Sequence, residues 1–150
     1  MNNRLLIVIV SALMIVILTG CTNLEYDKYS HDYNKVSEIS KIELAISDAY
    51  HNSGSKNKFK KEAKKLVKNL EKTKMKTKEG KDILNVYIER AEYLVDILVE
   101  SWNKGVIPNT EDKKIVQLEA NLEDKMNKFD EKIEELKVES GFYEMLEELK

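Results

Sequence analysis

The last third of the chain carries apolar residues in a register that leaves little choice of fold. Ile115, Leu122, Phe129 and Leu136 recur every seven residues, and Leu118, Met126 and Ile133 widen the stripe. Seven residues make nearly two turns of α-helix, so the repeat lines one helix face and suits coiled-coil-like packing. Three more stripes at helical spacing precede it. From Leu24 to Asn52, Tyr26, Tyr29, Tyr33 and Val36 lead into Ile39, Ile42, Ile46 and Ala49. From Asn57 to Lys74, Phe59, Ala63, Leu66, Val67 and Leu70 form a narrow apolar line among lysines. From Lys81 to Lys104, Ile83, Leu84, Tyr87, Ile88, Ala91, Leu94, Val95, Leu98 and Trp102 make the widest stripe, which marks the centre of the domain. One proline and five glycines in the whole chain leave few places to break a helix, and no segment alternates with a strand's period of two. The expected fold is all-α: a small three- to four-helix bundle behind an N-terminal signal-peptide helix.

Local signals set the expected boundaries. Thr22 and Glu25 have capping-box spacing at the start of the first helix, and Asn52-Ser53-Gly54-Ser55 ends it. A polar stretch with a glycine, Lys76-Thr77-Lys78-Glu79-Gly80, predicts the turn between the second and third helices. Gly105 and Pro108 suit the end of the third, and Asn109 the N-cap of the fourth, which spans Thr110 to Glu139. Gly141 is expected to break it, leaving Phe142, Leu146 and Leu149 to a short final amphipathic segment.

The first twenty-one residues carry a separate signal. Arg4 precedes an apolar run from Leu5 to Leu18, interrupted only by Ser11, and Leu18-Thr19-Gly20-Cys21 follows. As a helix the run covers roughly 21 Å, short of a hydrocarbon core of about 30 Å. A transmembrane anchor that keeps Cys21 is the alternative. The tetrad resembles the lipobox of bacterial lipoproteins, with Leu18 at the apolar position, Gly20 at the small one and Cys21 at the thiol. The resemblance implies cleavage between Gly20 and Cys21 and transfer of diacylglyceryl to the Cys21 sulfur. Residues 1–20 would then be a signal peptide, and residues 21–150 an extracytoplasmic domain held to the cell membrane by lipid. Two acyl chains give stable anchoring where one gives marginal binding. Cys21 is the only cysteine, so no disulfide forms within the chain and apolar packing has to hold the domain together.

Charge divides the domain. Twelve lysines between Lys56 and Lys81 face only Glu62, Glu71 and Glu79, while Gly105 to Lys150 holds thirteen acids against seven lysines. The candidate contact set on the basic helix is Lys56, Lys58, Lys60, Lys61, Lys64, Lys65, Lys68 and Lys72. These residues either stay solvated or pair with the acidic fourth helix inside the bundle, or they meet anionic lipid or wall polymer. An extracytoplasmic location argues against nucleic acid.

Nothing in the sequence assembles a catalytic centre. His31 and His51 stand about 30 Å apart on a continuous helix, too far to share a metal ion. Glu123/Asp124, Glu134/Glu135 and Glu147/Glu148 belong to a charged helix face with lysines nearby, as Asp124 and Lys128 show. No Ser-His-Asp set, phosphate-binding glycine loop or metal-ligand cluster is present, so no cofactor is expected. Tyr29 and Tyr33 are expected to line the core, Tyr26 to line it or touch headgroups, and Trp102 to pack inside. The expected function is a non-catalytic, lipid-anchored envelope module that binds an envelope protein or a second copy of itself. The alternative is a membrane-surface effector of immunity or exclusion type that uses the lysine helix.

Overall fold

The computed structural model describes residues 24–104 and 112–148. Cys21, the lipobox, Thr22, Gly105, Pro108 and Asn109 lie outside them. The described residues are helical almost throughout, with no strand among them. A helical stretch at 24–39 (α1) is followed by α2 (Ile42–Asn52), α3 (Lys56–Glu71), α4 (Lys78–Lys104) and α5 (Lys113–Glu148).

The expected first helix is interrupted at Ser40 and Lys41. Ser40 Oγ donates back to the Ser37 carbonyl at 3.0 Å, and Lys41 N–H reaches the Glu38 carbonyl three residues earlier at 3.4 Å. A serine that bonds its own preceding turn competes with the helical ladder, so α1 gives way to α2 there. The chain then reverses over Ser53, Gly54 and Ser55. Gly54 sits at φ 65°, a region other residues avoid, and Ser55 caps α3 by accepting from Lys58 N–H at 3.3 Å.

The α3–α4 turn falls earlier than expected. α3 stops at Glu71 and α4 is already under way at Lys78, so Gly80 lies inside a helix. Thr77 caps α4, its Oγ1 accepting from Gly80 N–H at 2.9 Å. Gly141 does not break the last helix either: α5 runs through it to Glu148, and no separate final segment forms. An isolated glycine costs a helix about 1 kcal/mol, which the strong helix formers around it outweigh.

α4 is the central rod. α3 packs antiparallel to it on one side, α5 antiparallel on another, and α1–α2 runs alongside in the same direction. Two aromatic clusters mark the ends of one continuous core. Tyr29 stacks on Phe129 with ring centres 5.3 Å apart, and Tyr50 meets Trp102 and Phe59 edge-on at 4.9 and 5.4 Å. Ile46, Phe59, Ala63, Ile83, Ala91 and Phe129 are fully enclosed, and burying a large apolar side chain contributes roughly 1.5–3 kcal/mol. Arg90 binds elements across the surface of the bundle. It grips Glu43 of α2 with two bonds of 2.6 and 3.0 Å and reaches Glu119 of α5 at 3.5 Å.

Tyr33 departs from expectation: it is 52% exposed. Asp32 occupies the core position instead, three residues after Tyr29 and four before Val36, and is completely buried.

Candidate functional site

Asp32 is the most confined polar group, and its geometry shows what it can do. Its Oδ2 accepts from Thr77 N–H and Thr77 Oγ1–H, both at 2.7 Å, and from Lys76 N–H at 3.0 Å. Its Oδ1 accepts from Lys76 N–H at 2.9 Å and lies 2.9 Å from His31 Nδ1. Burial pushes the Asp32 carboxyl up. The Lys76 amide, His31 and both Thr77 donors outweigh burial and hold it below the ordinary aspartate value. Both carboxylate oxygens are thus engaged by groups of the protein itself. The carboxylate is a joint that clamps the α3–α4 turn to α1.

Gly80 belongs to the same joint. A Cβ there would sit 2.4 Å from Asp32 Oδ2 and 2.9 Å from Thr77 Oγ1. Nearby, Tyr29 donates its hydroxyl to Glu79 Oε2 at 2.7 Å. Burial first, then this bond and the surrounding carboxylates, push its phenol well above the ordinary tyrosine range.

His31 and His51 belong to α1 and α2 respectively, and no group of three or more histidine, cysteine, aspartate or glutamate side chains is placed to hold a metal ion among the described residues. The acid pairs with described side chains lie on the exposed face of α5, where Asp124, Glu134 and Glu135 bond to Lys128, Lys137 and Lys132 at 2.7, 2.6 and 3.0 Å. A groove of about 470 Å³ between α1 and α5 is lined by Tyr26, Tyr33, Asp130 and Ile133 among others.

The lysine helix presents a charged surface of its own. Of the eight candidate lysines, Lys56 is half-buried and donates to Asn103 Oδ1. The other seven are exposed, and none of the eight takes part in an ion pair among the described residues. Among the described residues the expected pairing with the acidic helix does not occur: α5 packs on α4, and three of its acids, Asp124, Glu134 and Glu135, pair with its own lysines. Lys60, Lys64 and Lys68 border a groove of about 670 Å³ with Glu71, Glu92 and Asp96. Lys58, Lys61, Lys65 and Lys72 do not line it.

Two aspects of this site escaped sequence reasoning. Asp32 breaks an apolar stripe at helical spacing, which is the signal that was there to find. Asp112 accepts from Lys114 N–H and from the Tyr93 hydroxyl, both at 2.8 Å, and so starts α5. Its spacing before an apolar run was equally visible.

Among the described residues, no helix is long and apolar enough to cross a membrane. No known protein family, no curated protein and no solved structure matches the chain.

Proposed function

We propose that the chain is a lipid-anchored, non-catalytic interaction module of the bacterial cell envelope. In this reading diacylglyceryl-Cys21 holds it to the outer face of the cell membrane, and α3 presents its lysines to an anionic partner. The observation that carries the second half is the exposed state, without an ion pair among the described residues, of six lysines on α3 and of Lys72 at its C-cap. Lysines kept apart from carboxylates repel one another and destabilise the free protein, so a surface of this kind is best accounted for by an external anion.

The heptad stripe of α5 favours a different surface less. Leu118, Phe129, Ile133 and Leu136 are buried within the bundle, so they are not available to a second coiled-coil strand. An envelope partner would therefore meet charge rather than an open apolar seam.

Two measurements in intact cells test the reading. Labelled palmitate should enter the protein and be lost in Cys21→Ala, which should also leave the membrane fraction. A photo-crosslinking residue in place of Lys65 should capture envelope material, and one in place of Gln117 on α5 should capture far less. A protein without lipid, or equal capture from both helices, would overturn the proposal.

A further inference from the structure

Two faces of the chain carry opposite charge at the same interval. On α3, Lys60-Lys61 and Lys64-Lys65 stand four residues apart, and Lys68 takes the next step; all five are exposed. On α5, Asp130-Glu131 and Glu134-Glu135 stand four residues apart, and Glu139 continues them, again all exposed. Steps of four keep side chains on one helix face, with about 6 Å of rise between successive doublets. Both faces are therefore two charges wide and share one repeat.

Neither face is balanced from within. Glu71, Glu92 and Asp96 share a groove with Lys60, Lys64 and Lys68, yet none of the five lysines is in an ion pair among the described residues. On α5, Lys137 and Lys132 answer Glu134 and Glu135. Asp130, Glu131 and Glu139 are in no ion pair among the described residues. Neighbouring charges about 6 Å apart lie inside the screening length of about 8–10 Å at physiological salt, so each face repels itself. α3 and α5 pack on different sides of α4, which keeps one molecule from bringing its own two faces together.

The faces also match in their apolar groups. Val138 stands 72% exposed on α5 and lines one open surface with the five acids. The lysine side offers the groove of about 670 Å³, lined by Val67 and Val95 as well as by Lys60, Lys64 and Lys68. A valine set among acids thus has its counterpart in a groove that joins two valines to three lysines.

We infer that the chain docks on a second copy of itself, the lysine face of α3 in one molecule meeting the acidic face of α5 in the next. This rests on the proposed function and names the anionic partner of α3. A headgroup layer or an anionic polymer would answer the lysines and leave Asp130, Glu131 and Glu139 repelling one another. A second copy relieves both faces with one contact. Charge complementarity steers the encounter and sets its register, while the lysine stems cover apolar surface beneath them. Because the two patches differ, the contact is heterologous: it adds copies head to tail or closes a ring.

The test is crosslinking in intact cells between two forms of the full chain that carry different tags. The first form has a photo-crosslinking residue in place of Lys65. The expected product is a covalent dimer with both tags, its crosslink mapped by mass spectrometry to residues 127–139 of the second form. E131K/E139K in the second form should lower the yield of that dimer by roughly fivefold or more. K61E/K68E in the first form, paired with E131K/E139K in the second, should restore it, because the charges are then exchanged rather than lost. Capture of lipid, wall polymer or another protein at position 65 without the two-tag dimer overturns self-docking and leaves the anionic-partner reading standing. A dimer that E131K/E139K does not weaken, one that the exchanged pair does not regain, or one crosslinked outside 127–139 overturns the pairing of these two faces. No capture of any kind overturns both proposals.

Discussion

At the scale of single residues, Asp32 carries most of the consequence. Two backbone amides and one hydroxyl, all from residues more than forty positions away, end on one carboxylate. Removing the carboxylate strands those donors, and each unsatisfied donor costs about 1–3 kcal/mol where water cannot reach it. Asp32→Ala should therefore destabilise the fold by about 2–4 kcal/mol, read as a lower urea midpoint in circular dichroism. The same bonds give a pH dependence. Because the folded aspartate titrates below its unfolded value of about 3.9, its contribution is present above that pH and is lost as pH falls through the lower folded value. Wild type should lose stability on going from pH 4 to pH 2 by more than Asp32→Asn does; parallel loss in the two would show that other carboxylates dominate. Asp32 was readable as an anomaly, a charge inside the Tyr29–Val36 stripe. Its partners were not, because contacts across forty residues leave no trace in local spacing.

At the scale of elements, two glycines that look alike in sequence behave oppositely. Both sit in helices, yet a Cβ at Gly141 meets nothing within 4 Å while one at Gly80 meets Asp32 at 2.4 Å. Gly141→Ala should stabilise α5 by about 0.5–1 kcal/mol, the ordinary gain of alanine over glycine in a helix. Gly80→Ala should destabilise by about 1–3 kcal/mol despite the same gain, because the added methyl displaces the carboxylate that holds the turn. Thermal melts of the two variants should move in opposite directions, and a rise in both would mean that Asp32 shifts without cost. The four apolar stripes located the helices because burial follows the 3.6-residue period. Their ends were less legible. Thr77 rather than Gly80 marks the start of α4, since a side-chain cap on Gly80 N–H stops the chain from needing a glycine turn there.

At the scale of the whole molecule, the two aromatic clusters belong to one core. Phe129 lies near Tyr29, and Trp102 near Tyr50 and Phe59 toward the opposite end of α4. Phe129→Ala should cost about 3–5 kcal/mol, and a single cooperative unit should report that loss everywhere. The urea midpoint seen by Trp102 fluorescence should fall together with the one seen by circular dichroism; an unmoved fluorescence midpoint would divide the bundle into independent halves. The stripes by themselves determined that this chain is helical and which faces are apolar, Phe59, Ile83, Phe129 and Leu136 among them, because hydrophobic burial is written in a period that neighbouring residues define. They also placed eight lysines on one helix. Only the tertiary structure decided that α5 packs on α4, so that among the described residues its acids form no ion pair with the lysines of α3. Whether a charge finds a partner depends on which helices become neighbours, and that is settled by packing over distances that local spacing does not record.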